Sequence, residues 1–320
     1  MADFYRAPPL PRAFIWRRAH SLTGLWLVLF LIEHLFTNSQ AALFFGEDGR
    51  GFVSAVNFLK NLPYLPVIEM VLLGIPFLIH GLWGIQLLFT AKYNSFQTDG
   101  TTAALSQYSR NQAYTWQRIT SWILLIGILA HVIHMRFIEY PTSAQVDGQQ
   151  FYMSRVEGDN GLYTLSKRLN FEVYTPQHIQ EIKQKNLATP PVKVQKELKP
   201  EELIAAQKQQ QEKDWIIALE KWPLNENQLV AVSPSFGVAE LLLVRDTFKS
   251  PTMIFLYTGL VLATCFHAFN GLWTFMITWG ITLTARSQRL MRASATAIMV
   301  VVTFSGLAAI WGTYWLNLKN

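Results

Sequence analysis

Only one cysteine, Cys265, occurs in the 320 residues. That excludes an internal disulfide, a cysteine-held iron–sulfur cluster and the C-x-x-C-H attachment of c-type haem, so any haem would be held non-covalently. A glycine-rich dinucleotide fingerprint is missing too, and nothing reads as a soluble catalytic core. Charge is scarce: Lys, Arg, Asp and Glu make up 15% of the chain, hydrophobic residues 51%. It nearly vanishes from five runs, approximately 19–45, 64–90, 116–139, 251–284 and 293–317. Each is long enough for the roughly 20 helical residues that cross a 30 Å hydrocarbon core. The first is too long for a cleavable signal peptide, carries Glu33 and His34, and lacks a small-residue cleavage site.

Acidic residues are outnumbered, 21 against 27 basic, for a net charge of +6. The excess falls on alternate connections. Arg6, Arg12, Arg17 and Arg18 precede the first run. Lys92, Arg110 and Arg118 lie between or at the edges of the second and third, and Arg286, Arg289 and Arg292 between the fourth and fifth. On the opposite side the short connection holds only Arg50 and Lys60 and the C-terminus only Lys319, while the long polar segment there is largely exempt from the charge rule. The positive-inside rule then predicts a cytoplasmic N-terminus and an outer C-terminus. Domain organisation follows: 1–140 holds three spans, 141–250 is a polar extracytoplasmic insert, and 251–320 holds the last two spans. The fold class expected is all-α, a five-helix membrane bundle. Within the insert, the stretch PPVKVQKELKPEELIAAQKQQQEKDWIIALEKWP is rich in helix formers between prolines. It reads as a solvated helical hairpin, or as a partner-docking domain; no internal repeat or catalytic motif is visible in it.

Four histidines, His34, His80, His131 and His267, each lie inside a separate apolar run. An unsatisfied imidazole in hydrocarbon costs several kcal/mol, so each needs a partner. At 1.5 Å per residue, with Phe45 and Tyr140 as outer ends and Pro63 and Pro251 as outer starts, His34 and His131 lie about 17 and 14 Å inward, and His80 and His267 about 26 and 24 Å. Two pairs at matched depth point to axial ligation of two metal-centred macrocycles. Glycines four residues away on the histidine's own face (Gly84, Gly271, Gly127) would leave room for a porphyrin edge; the competing reading is close helix packing.

Three histidines remain. His20 is placed for headgroups, a haem propionate or a partner subunit; His134, one turn beyond His131, competes for its role; His178 reads as solvated. Two intramembrane acids, Glu33 and Glu69, are candidates for proton transfer or quinone contact, or are satisfied structural acids.

The runs RRAHSLTGLWLVLFLIEHLFTNS, PFLIHGLWGIQLLFTAK, QRITSWILLIGILAHVIHMRF and CFHAFNGLWTFMITWGITLTARSQR resemble the cytochrome b membrane anchor of the succinate dehydrogenase/fumarate reductase family. The nearest type is the single-chain, five-span, di-haem one of bacterial inner membranes. The resemblance covers about two thirds of the chain. It implies that His34 and His131 ligate a distal haem b, and His80 and His267 a proximal one. It favours His131 over His134 because of the spacing after Gln117-Arg118.

It also implies respiratory complex II, an enzyme of the tricarboxylic acid cycle, in which a flavoprotein oxidises succinate. An iron–sulfur subunit would dock on the cytoplasmic face near Arg286, Ser287, Gln288 and Arg289. Electrons would cross both haems to menaquinone near the outer side, with membrane lipid but no nucleic acid as further surroundings. Two features depart from the family. The insert is far longer than the usual connection. Some fumarate reductases of this type place an acid two residues before the fourth ligand, where this chain has Cys265; that favours succinate oxidation. The rival readings are a fumarate reductase anchor, a haem-free transporter and a structural anchor.

Overall fold

The computed structural model describes residues 10–43, 47–90, 94–95, 104–188 and 200–319. Arg6, Phe45 and Lys92, used above for charge and depth, and part of the proline-bounded stretch lie outside the described residues. In chain order the elements are α1 (Arg12–Ser39), α2 (Arg50–Lys60), α3 (Leu65–Thr90), α4 (Ser109–Ile138), β1 (Thr142–Val146), β2 (Gln149–Glu157), α5 (Asn160–Leu169), β3 (Glu172–Tyr174) and α6 (Pro176–Ala188). Then come α7 (Pro200–Leu219), β4 (Gln228–Ser233), α8 (Phe236–Thr247), α9 (Pro251–Thr278) and α10 (Ala285–Asn317). Helices α1, α3, α4, α9 and α10 are long and apolar enough to cross a membrane.

The chain divides into two compact units, one of Met1–Leu35, Tyr64–Leu129 and Gly259–Phe304, the other of Phe36–Pro63, Ala130–Thr258 and Ser305–Asn320. In the first unit, helix ends follow local chemistry. α1 begins at Arg12, ahead of its apolar run, with Phe14 and Ile15 donating to the Pro11 carbonyl. α10 also begins early. Thr284 caps it, its hydroxyl accepting from Ser287 N at 3.1 Å, so Arg286, Ser287, Gln288 and Arg289 lie within its first two turns. Pro76 lies inside α3 and has no N–H for the carbonyl of Leu72. The indole of Trp26 on α1 donates to that carbonyl instead. The backbone runs through a π turn at Met70–Gly74 just before this proline.

The second unit contains what the sequence reading did not anticipate, a four-stranded antiparallel sheet in the order β1-β2-β4-β3. Asp147 and Gly148, at φ 48° and 82°, make the two-residue turn between β1 and β2, a type I′ geometry suited to the strand twist. Alternation sends Ala144, Met153, Val230 and Val232 to one face with Ile179 of α6 and Leu219 of α7. Val156, Leu229 and Ala231 face the other way, onto Leu162 of α5 and Leu242 of α8. Of the stretch read as a helical hairpin, the described residues form a single helix, α7, and it rests on the sheet beside α6, a helix that precedes that stretch. Asp159 and Ser235 cap α5 and α8 by accepting from Leu162 N and Val238 N. Gly237 is required where α8 meets α2, because a Cβ there would strike the backbone of Val53.

Candidate metal centre

Within the first unit, three imidazoles converge. His80 on α3 and His267 on α9 have ring centres 6.3 Å apart at an interplanar angle of 80°. His20 on α1 stacks on His80 at 4.0 Å and 11°. It therefore contacts a candidate ligand directly, a placement the sequence reading did not foresee.

The protonation of both paired rings follows from their neighbours. His80 Nδ1 lies 3.0 Å from the His20 carbonyl, which only accepts, so Nδ1 carries the proton and Nε2 the lone pair. His20 Nδ1 makes the reciprocal contact to the His80 carbonyl at 3.1 Å. His267 Nδ1 faces the hydroxyls of Thr120 and Ser121 at 3.4 and 3.5 Å. Each hydroxyl already donates its hydrogen, Thr120 to Trp116 O at 2.8 Å and Ser121 to Gln117 O at 2.6 Å. They offer His267 only lone pairs, so its Nδ1 is protonated as well. Both rings thus present an unprotonated Nε2, the state in which imidazole ligates a metal while its other nitrogen is anchored by the protein.

An imidazole nitrogen sits about 2 Å from its metal and the ring centre roughly 1.1 Å beyond, so two opposed rings on one metal stand about 6 Å apart or slightly more. The separation of His80 and His267 fits that requirement. No group of three or more His, Cys, Asp or Glu side chains is placed to hold a bare metal ion among the described residues. Two imidazoles with the remaining positions supplied by a macrocycle is the arrangement this donor set suits.

Several supporting residues went unnoticed in the sequence. Gly24 on α1 faces His80, where a Cβ would come within 2.8 Å of its Cε1; the clue was its place four residues after His20. Gln117 joins α4 to α9, donating to the His267 carbonyl at 3.1 Å and accepting from Asn270 Nδ2 at 2.7 Å. This contact accounts for Gln117 and Asn270 within the runs quoted above. Of the three glycines expected to make porphyrin room, Gly84 faces His20 at 3.7 Å and Gly271 faces Gln117 at 3.9 Å. Gly127 is filled by Leu260, whose Cδ1 would lie 2.7 Å from a Cβ, so it serves helix packing.

His34 and His131 fall in different units. In the first, His34 stacks on Phe30 at 5.4 Å. In the second, His131 Nδ1 lies 3.1 Å from the hydroxyl of Tyr257, a partner not foreseen. His134 Nδ1 is buried with no hydrogen-bond partner among the described residues. Glu33 is exposed and Glu69 half-buried, and neither is brought to His80 or His267 by any described contact. His178 stacks on Tyr174 at the surface of the insert. The basic end of the first unit is organised by Arg110 donating to Gln288 Oε1 at 3.1 Å, Arg292 to Ser109 at 3.5 Å, and Arg18 to the Thr278 carbonyl.

A succinate dehydrogenase cytochrome b558 subunit from Bacillus subtilis (strain 168) is 26% identical over 301 residues, spanning 94% of this chain and 96% of that protein. The chain is a homologue of a succinate dehydrogenase cytochrome b subunit. No family model matches the sequence, and no solved structure matches it. The homology extends well beyond the four histidine runs, over nearly the whole length of both proteins.

Proposed function

We propose that this chain is the membrane anchor of a succinate:quinone oxidoreductase, holding two b haems between an iron–sulfur subunit and a quinone such as menaquinone. The observation that carries the reading is the His80–His267 pair, two imidazoles at 6.3 Å with both Nδ1 protons engaged by protein acceptors. Homology over nearly the full chain supports the same assignment.

When bound, a bis-imidazole haem supplies one-electron transfer without an open coordination position. The chain's residues do the rest. His80 and His267 would hold one haem, their Nδ1 atoms anchored by the His20 carbonyl and the Thr120 and Ser121 hydroxyls. His34 and His131 are the residues that would hold the second, with the Tyr257 hydroxyl facing His131 Nδ1. The apolar helices α1, α3 and α9 carry His20, His80 and His267, and low polarity around a haem is one of the means by which protein sets its potential. Arg286, Ser287, Gln288 and Arg289 at the start of α10, with Arg110 and Arg292 beside them, form the face for the iron–sulfur subunit and its flavoprotein. That face is cytoplasmic; the insert and C-terminus lie outside the inner membrane. Glu33 and Glu69 are the intramembrane acids available for quinone or proton contact.

A pyridine haemochrome measurement on the purified complex, normalised to this chain, tests the reading. Two b haems per chain are expected. A haem-replete, intact preparation with none would overturn it. Rates of succinate oxidation and fumarate reduction with menaquinone analogues assign the direction, for which the buried Cys265 in place of an acid favours succinate oxidation.

A further inference from the structure

Charged side chains gather where α4 ends and the insert begins, apart from the histidine sites. α8 docks on α2 through Gly237, whose N–H donates to Asn57 Oδ1 at 2.8 Å. One turn along from Phe236 on α8 stands Glu240, mostly buried, and no hydrogen bond or ion pair reaches its carboxylate among the described residues. Two cations lie near enough to act on it, Lys60 of α2 and Arg136 of α4.

Neither cation is held by the acid. Lys60 Nζ donates to the Tyr140 hydroxyl at 3.2 Å and lies 4.4 Å from the Phe236 ring centre. The Arg136 guanidinium lies 4.6 Å over the Tyr140 ring. Arg136 follows His131 by five residues in one helix, about 7 Å along its axis. Other charges on elements packed against α8 are engaged elsewhere. Arg155 of β2 pairs with Glu139, Arg245 of α8 with Asp159, and Asp246 with Lys249. Arg50 of α2 donates to the Arg168 carbonyl. Glu157 of β2 lies by Asp246, which accepts from its backbone N–H. β4 carries no ionisable side chain.

We propose that Glu240 is a proton-exchange group for the quinone reaction, brought by the insert to the end of α4 beyond His131. The inference rests on the quinone-reductase reading. Reducing a quinone to its quinol takes two electrons, supplied here by succinate oxidation, and two protons. Glu240 gives up one proton: its O–H bond breaks, an O–H bond forms on the quinone oxygen through intervening water, and Lys60 and Arg136 stabilise the carboxylate left behind. Solvent on the insert's side then reprotonates it. Burial raises the carboxyl to about 7 against the pull of Arg136 and Lys60, so both forms exist at neutral pH, as an acid–base group needs.

The test is Glu240→Gln in the assembled complex. The ratio of succinate-to-menaquinone-analogue turnover to succinate-to-phenazine-dye turnover is measured from pH 6 to 8.5, alongside haem content. A quinone rate at least about 10-fold lower, its pH limb near neutrality gone, with dye rate and haem unchanged, is the expected result. An unchanged quinone rate and pH profile overturns the proposal. Infrared titration gives a readout that needs no quinone turnover. A carboxyl stretching band that titrates near pH 7 in the wild type and disappears in Glu240→Gln, or shifts in Glu240→Asp where the first variant does not assemble, supports proton exchange at this residue. A band untouched by either substitution overturns it. A wild-type complex that oxidises succinate with dye but reduces no quinone sinks the functional reading instead, and the band then decides Glu240 alone.

Discussion

The two units solve opposite problems. In the insert, apolar side chains leave water entirely: Met153, Leu162, Leu219 and Val230 are 0% exposed, on both faces of one sheet. In the apolar windows of α3 and α4, none of the residues is buried inside the chain. Many of their leucines and isoleucines are exposed, and alongside close contacts such as Leu260 at Gly127 the helices are joined by polar ones: Gln117 to Asn270, Trp26 to Leu72, His80 to His20. A water-exposed domain is held by removing apolar surface from solvent. Helices in hydrocarbon gain nothing that way and are joined by close packing and hydrogen bonds, so their polar residues are the informative ones.

The contrast yields predictions of graded size. The largest effect belongs to the histidines of the apolar helices. His80→Ala or His267→Ala should each remove the same spectral component and one of two haems, while His34→Ala or His131→Ala removes the other. Difference spectra check this, and loss of the same component from His34 and His80 would dissolve the pairing. His134→Ala should spare both.

Next come the apolar contacts of the insert. Leu162→Ala should destabilise it by about 2–5 kcal/mol, read as a lower urea midpoint for protease cleavage within the insert of the full chain. A comparable truncation at Leu78 of α3, 61% exposed, should leave haem content and that midpoint unchanged. Gly237→Ala should cost about 1–3 kcal/mol, since the Val53 backbone must move.

The smallest effects are pH-dependent and of opposite sign. Burial pushes the Asp159 carboxyl up, but hydrogen bonds from Arg245 and Lys249 outweigh it and hold the group well below the usual carboxylate range. Its stabilisation is present above about 3.8 and is lost as pH falls further. Glu240 runs the other way: raised from 4.5 to about 7, it favours the folded insert at low pH and loses that contribution as pH rises between those values. Asp159→Asn should flatten the acid limb of insert stability, and Glu240→Gln the decline towards neutrality, both read from the same protease midpoints.

Much of the membrane unit was legible because its signals are local. Runs of twenty apolar residues and an imidazole within each can be read one helix at a time. The sheet escaped notice because β1 and β3 are short, and β4 pairs with β2 across about 70 intervening residues, a separation no local pattern reports. Gly127 misled for a related reason: a glycine one turn from a histidine looks the same whether it faces a ring or Leu260. His20 was placed at the right helix end, but its stacking on His80 depends on the pitch of two helices.

Sequence by itself determined the number of apolar helices, the histidines inside them and the polarity of the insert, since these depend on composition and on a period of one helix. Tertiary structure alone decided which nitrogen of His80 and His267 is protonated, that Gln117 ties α4 to α9, and that Lys60 and Arg136 come near Glu240. Each of those depends on atoms a few ångströms apart but tens of residues or more apart in the chain. Such proximity arises only when whole elements pack.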